Sequence, residues 1–316
     1  MLLAVVGDRV FFPLSKLEAK ETLLSVVRRS PVSFGYSTIR WELSLLMQHC
    51  QWIKVKTVQG LWFVMRRLEI HYKASCQYIH SPDVDYEAKW AIIEQVVASS
   101  YKEDVVVVCL DELTFYNQPS LADTYTLKGK EQTKAQRALG ATKSARIVGA
   151  LNIQTGQVSF ALKSKITVAN FIAFLQQLVA QYPHKSIFII IDNWPVHYHP
   201  QVVAALQKQE YQHYFRCPDS WKDVKVNKKY QSLNLPIQFV PLPTYASWLN
   251  PIEKLWRWLK QDVIHVHTWA DQWTELKNAV SFFLQQFNEL SDDLLNYVGI
   301  NNLNSKYGKI LFNNSG

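Results

Sequence analysis

Two apolar runs rich in β-branched residues constrain the fold most: "DVVVVCLDELTFY" from Asp104 and "KSIFIIIDNWPVH" from Lys185. Neither core run alternates with polar residues, so each reads as a strand covered on both faces, as in sheets carrying helices on either side. "ARIVGALNIQTGQVSFALKS" reads as two strands joined at Thr155-Gly156, and "VANFIAFLQQLVAQY" as an amphipathic helix over 168–182. "IQFVPLPTY" supplies a further strand, and helices from Asn250 onward follow it. Hairpin strands first, then strands alternating with helices, predict a mixed α/β sheet flanked by helices over about 102–300.

Both central runs end in an acid, Asp111 and Asp192. Ligand sites in α/β sheets lie at such strand ends. A buried strand has no structural need for a carboxylate there, because an unpaired charge in apolar surroundings is costly or is neutralised. Either aspartate alone also reads as a cap or turn residue. "WLNPIEKLW" brings a third acid, Glu253, open to two readings. Asn250 as N-cap, Pro251 at the first helical position and Glu253 reaching back would form a capping box. Alternatively, Glu253 joins Asp111 and Asp192 in a set of hard oxygen ligands suited to Mg²⁺ or Mn²⁺. Two such ions, about 3.5–4 Å apart, serve phosphodiester cleavage and strand transfer. Glu112 adjoins Asp111 but falls on the opposite strand face, which makes it the poorer metal ligand.

Upstream, "STIRWELSLLMQH" carries Ile39, Leu43 and Leu46 at helical spacing, and "KTVQGLWFVMRRLEIH" carries Val58, Leu61, Met65 and Leu68. The pair predicts a helix-turn-helix over about 37–72 within an all-α region, 1–80. Lys54, Lys56, Arg66 and Arg67 then stand where a recognition helix meets phosphate; the alternative is a helical hairpin with a solvated basic face. Residues 1–36 hold one possible helix, "SKLEAKETLLSVVRR", and 81–101 read as a connecting helix. Charge favours a nucleic-acid partner: the chain carries +8, and residues 1–81 hold eleven Lys/Arg against five Asp/Glu. Apolar residues make up 48% of the chain, enough for a substantial core, yet no run reaches membrane-spanning length. The four scattered cysteines predict reduced, mostly buried thiols in a cytoplasmic protein, and the DNA partner that the charge favours makes it nucleoid-associated. "HVH" at His265 and His267 lacks further ligands at zinc spacing and reads as a turn.

In this order, "CLDELTF", "GALNIQTGQV", "IIIDNWPVH" and "LPTYASWLNPIEKLWRWLK" resemble the motifs of DDE transposases of bacterial insertion sequences, mariner superfamily. The resemblance covers about 37–299. It implies a ribonuclease H-like catalytic domain over 102–300 and helix-turn-helix recognition of terminal inverted repeats in double-stranded DNA. It further implies cut-and-paste movement into a TA target by a homodimer. Asp111, Asp192 and Glu253 match the catalytic triad that binds two divalent ions, with Asn193, His197 and Asn250 in support. Trp256 and Trp258 are expected to pack their helix onto the sheet, and Arg257 and Lys260 to meet DNA backbone. Sixty residues separate Asp192 from Glu253, more than the pattern has, which predicts a basic insertion at about 207–234 bearing Lys222, Lys225, Lys228 and Lys229. A tail is expected at 301–316. Only the second of the usual two helix-turn-helix units is read here, which predicts reduced end recognition. The competing functions are a truncated, non-catalytic DNA-binding repressor of transposition and a host ribonuclease H-like nuclease.

Overall fold

The structure, a computed structural model, describes residues 14–72, 81–125, 132–207 and 209–300. The tail expected at 301–316, the apolar segment through residue 13 and Cys76 lie outside these. Two compact units divide the chain, Met1–Gln77 and Tyr78–Gly316.

The smaller unit holds α1 (Lys16–Val27), α2 (Leu43–His49) and α3 (Val58–Arg67). A capping box opens α1: Ser15 Oγ accepts the Glu18 N–H at 3.3 Å and Glu18 accepts the Ser15 N–H at 2.8 Å. Thr57 caps α3 by accepting the Gly60 N–H at 3.0 Å. Ala19, Leu23, Leu46, Ile53, Leu61, Val64 and Leu68 form the core. The predicted stripes need correction. Helix α2 starts six residues later than the spacing suggests, leaving Ile39 outside it and 78% exposed. In α3 the buried positions are Leu61 and Val64, followed by Leu68 at its C-cap, while Val58 is exposed. Lys54, Lys56, Arg66 and Arg67 are all exposed, with the Arg66 guanidinium 4.9 Å from the Trp62 ring centroid.

The larger unit is built on five strands: β1 (Val105–Tyr116), β2 (Ser144–Asn152), β3 (Val158–Lys163), β4 (Ser186–Ile191) and β5 (Ile237–Pro241). Their order is β3-β2-β1-β4-β5; the β1–β2 and β2–β3 pairs are antiparallel, and the β1–β4 and β4–β5 pairs parallel. This is the expected ribonuclease H-like mixed sheet. Strict alternation splits β1 between two cores. Val105, Val107 and Cys109 face α4 (Tyr86–Ser99), α8 (Ile252–Leu259), α9 (Trp273–Gln285) and α10 (Asp292–Val298), while Val106, Val108 and Leu110 face α5 (Val168–Gln181) and α6 (Pro200–Ala205). No described helix is long and apolar enough to cross a membrane.

Ahead of α4 the chain is stitched to the segment after β5. Asp83 accepts the Thr244 N–H at 2.6 Å and pairs with Lys89 at 2.8 Å, both side chains nearly fully buried. The basic excursion between α6 and β5 is a packed element closed at its neck, where Gln207 N–H donates to the Leu235 carbonyl. Phe215, Tyr230 and Leu233 anchor it to the α5-side core, and α7 (Lys228–Gln231) lies within it. Its lysines, Lys222, Lys225, Lys228 and Lys229, are exposed; Lys222 pairs with Asp219, and Lys229 lies over the Tyr230 ring.

Candidate active site

Three elements deliver acids to one edge of the sheet. Strand β1 carries Asp111 on its α8 face, Asp192 follows the last residue of β4, and Glu253 stands in the first turn of α8. Burial, together with the charges of Glu253, Glu112 and Asp192, pushes the Asp111 carboxyl up to about 8. Glu253 is raised by burial and by Asp192, against the opposing pull of Lys260 and Arg257. The β1–β4 register, with Cys109 opposite Ile190, brings Asp111 and Asp192 to one level of the sheet, and side-chain bonds from Asn250 to Leu110 and from Trp256 to Asp111 set the start of α8 beside them; Arg257 and Lys260 follow Glu253 four and seven residues later on the same helical side. Arg257 is exposed and Lys260 half-buried.

The capping-box reading of "WLNPIEKLW" does not hold. Pro251 occupies the cap position, and no side chain closes the first turn. Asn250 instead donates from Nδ2 to the Leu110 carbonyl at 2.9 Å, tying the start of α8 to the residue before Asp111. Its Oδ1 is buried without a protein partner. Glu253 is thereby left with no structural duty as a cap.

Asp192 is held from the other face of the sheet. Its Oδ1 accepts the Trp194 N–H at 2.9 Å and lies 3.1 Å from His197 Nδ1. His197 is fully buried, and its Nε2 contacts Glu112 Oε1 at 2.9 Å. Burial alone would lower the imidazole, but Glu112 and Asp192 outweigh it and raise His197 to about 9. Burial would likewise raise Asp192, yet the bond and charge of His197 hold its carboxyl below the ordinary range. Glu112, Asp192 and His197 form the one cluster with metal-ligand spacing among the described residues. Both ring nitrogens of a protonated imidazole are donors, so this cluster is a carboxylate–imidazolium–carboxylate bridge. Alternation correctly turns Glu112 away from Asp111; what it does not reveal is the histidine that the turn after β4 places on that side. Asn193 donates to the Leu242 carbonyl at 3.1 Å and to Thr244 at 3.4 Å, joining the ends of β4 and β5. Beside it opens a cavity of about 420 Å³ lined by Lys89, Tyr198, Tyr214 and Arg216.

Trp256 does pack onto the sheet, and it also donates from Nε1 to Asp111 Oδ2 at 2.9 Å, a contact that packing alone did not foretell. Trp258 lies among Phe283, Phe287 and Tyr297 and bonds Asp262. His265 contacts Ser120 and His267 accepts the Trp269 N–H, so the two histidines do not converge on a common site. Lys54, Lys56, Arg66 and Arg67 belong to the smaller unit.

Residues 106–276 match the DDE superfamily endonuclease domain, an interval that includes all three acids. The chain belongs to the DDE superfamily endonucleases. A curated relative of this DDE enzyme, the "Insertion element IS630 uncharacterized 39 kDa protein" of Shigella sonnei, is 27% identical over 268 residues, covering 82% of this chain and 68% of the relative. Similar solved structures include the "Mos1 transposase paired-end complex with left transposon end" (13% identity, 94% and 81% of the two chains, TM-score 0.48). Another is the "Crystal structure of the Mos1 mariner paired end complex with Mn" (14% identity, 90% and 79%, TM-score 0.48). The expectation of a DDE enzyme is borne out by the family match.

Proposed function

We propose that this DDE enzyme is a DNA transposase that binds terminal inverted repeats through its N-terminal helices. It would cut and rejoin DNA by cut-and-paste into a TA target, as a homodimer in the cytoplasm and nucleoid. The observation that supports the catalytic part is the placement of Asp111 and Asp192 at the ends of the paired strands β1 and β4, with α8 and its Glu253 tied to β1 through Asn250 and Trp256. Among the described residues, His197 touches this group at Asp192. Three carboxylates offer oxygen-only donors, which fit hard divalent cations such as Mg²⁺ or Mn²⁺. When bound, a pair of such ions would sharpen the attacking oxygen and stabilise the leaving one.

Within this reading Asp111, Asp192 and Glu253 hold the cations, and Asn250 fixes α8 so that Glu253 meets the two aspartates. His197, backed by Glu112, keeps the Asp192 carboxylate ionised and oriented. Arg257 and Lys260 face the scissile strand, where their positive charge draws phosphate to an otherwise repellent acidic edge. Lys54, Lys56, Arg66 and Arg67 contact the repeat, and Lys225, Lys228 and Lys229 reach further backbone. Asn193 orders the floor of the site through its bonds to the segment after β5.

The test is Mg²⁺-dependent cleavage of duplexes carrying the inverted repeats that flank the coding region, with Glu253→Gln beside wild type. Because Glu253 is no cap and burial disfavours its charge, the amide is expected to unfold at the same temperature or slightly higher while cleavage falls at least about 100-fold, the loss of one charge-stabilising group. Undiminished cleavage would remove Glu253 from the site. Cleavage indifferent to the repeat would instead identify a general nuclease.

A further inference from the structure

Asp111 pairs across the β1–β2 ladder with Gly149. A Cβ built on Gly149 would stand 2.6 Å from Trp256 Cη2 and 2.9 Å from Cζ2, closer than real side chains approach. The obstacle is a rigid indole ring, 1% exposed, rather than a flexible tip. Gly149 therefore leaves the space that the Trp256 ring occupies as it brings its N–H to Asp111 Oδ2. Helix α8 delivers both groups to this edge, since Trp256 follows Glu253 by three residues and shares its side of the helix. Asn250 pins the start of the same helix to the Leu110 carbonyl. A buried indole needs an acceptor, and packing alone would be satisfied by any carbonyl. Here the acceptor is the side-chain carboxylate of Asp111.

We propose that Trp256, admitted by Gly149, is a positioning residue for Asp111. Its N–H engages Oδ2 and leaves Oδ1 available to the cations that Asp111, Asp192 and Glu253 would hold. This rests on the function proposed above. Partners that orient metal ligands typically change metal affinity about 10- to 100-fold when lost, and that is the effect expected here.

The experiment titrates Mn²⁺ into the full-length protein without DNA, reading free Mn²⁺ by electron paramagnetic resonance, with thermal unfolding measured in parallel. Replacing Trp256 by 3-benzothienylalanine keeps the bicyclic shape and removes the donor. The Mn²⁺ dissociation constant is expected to rise about 10- to 100-fold with little change in unfolding temperature. Gly149→Ala is expected to weaken Mn²⁺ binding and lower stability. Adding Trp256→Phe, which lacks the atoms the methyl would meet, should recover much of that stability without recovering Mn²⁺ affinity, a non-additive pattern that a purely structural role does not produce. Asp111→Asn serves as the control. If it abolishes tight Mn²⁺ binding while the benzothienyl variant binds within twofold of wild type, the positioning role is overturned. If Asp111→Asn binds Mn²⁺ normally, the metal-site reading fails.

Discussion

Asp111 and His197 are pushed up for different reasons, and their pH signatures separate accordingly. Asp111 holds a proton in the folded, metal-free protein up to about 8, whereas an unfolded aspartate releases it near 3.8. Across that interval folding binds a proton, so this residue makes stability fall as pH rises from 4 to 8. Asp111→Asn in EDTA should therefore match wild type near pH 4 and unfold several degrees higher near pH 8; a constant difference would contradict the assignment. Added Mg²⁺ should shift the comparison toward wild type, since only the carboxylate gains from the cation. His197 has the opposite chemistry and the same direction of loss. Its folded value of about 9 exceeds the ordinary 6.5, so the imidazolium's contribution is complete below 6.5 and disappears as pH passes through 9. Replacing its buried partner, Glu112→Gln, should cost stability at pH 6 and little at pH 10, followed by thermal unfolding. Equal losses at both values would mean that Glu112 acts by shape instead of charge.

Among the elements, the strands were legible because a strand covered on both faces cannot hide its composition. β1 and β4 stand where the unalternating runs stand, and their acids fall at the predicted edge. The helix bearing Glu253 was legible as well, but its cap was misread. Asn250 has a better use for its amide on the Leu110 carbonyl, 140 positions away, than in the local turn. Trp256 and Glu112 escaped for the same reason, as their polar partners lie 145 and 85 positions distant and no local pattern announces such pairings. The bond from Thr244 to Asp83, 161 positions apart, is another long-range device, and Lys89, six residues on, pairs with the same carboxylate. Burial would raise Asp83, yet Lys89 and the Thr244 N–H hold its carboxyl far below the ordinary range. Asp83→Ala would strand a buried ammonium and lose its bond to the segment beyond β5, so a destabilisation of about 3–5 kcal/mol is expected. Following with Lys89→Met should restore part of it, because a buried pair replaced by apolar groups is often neutral. Chemical denaturation of the three variants decides the point. No recovery in the double variant would locate the loss in the Thr244 bond.

Across the whole molecule, charge is distributed with a purpose that composition already hinted at. The acids gather at the sheet edge, while Lys54, Lys56, Arg66 and Arg67 stand exposed on the smaller unit. If those residues neutralise DNA phosphates, each contact releases counterions, and the slope of log K against log salt carries about 0.9 per phosphate. Arg66→Ala and Lys56→Ala should then each flatten the slope by about that amount on any duplex, with the larger loss of affinity at low salt. Lys20 is the internal control, since its ammonium is already paired with Glu69 at 2.6 Å and Lys20→Ala should leave the slope unchanged. Binding isotherms between low and physiological salt measure all three, with divalent ions withheld so that cleavage does not intervene. A slope that stays fixed in Arg66→Ala and Lys56→Ala would return α3 to the status of a solvated basic helix. A slope that falls in these two alone would make it the DNA-facing helix, independently of any result at the acidic edge.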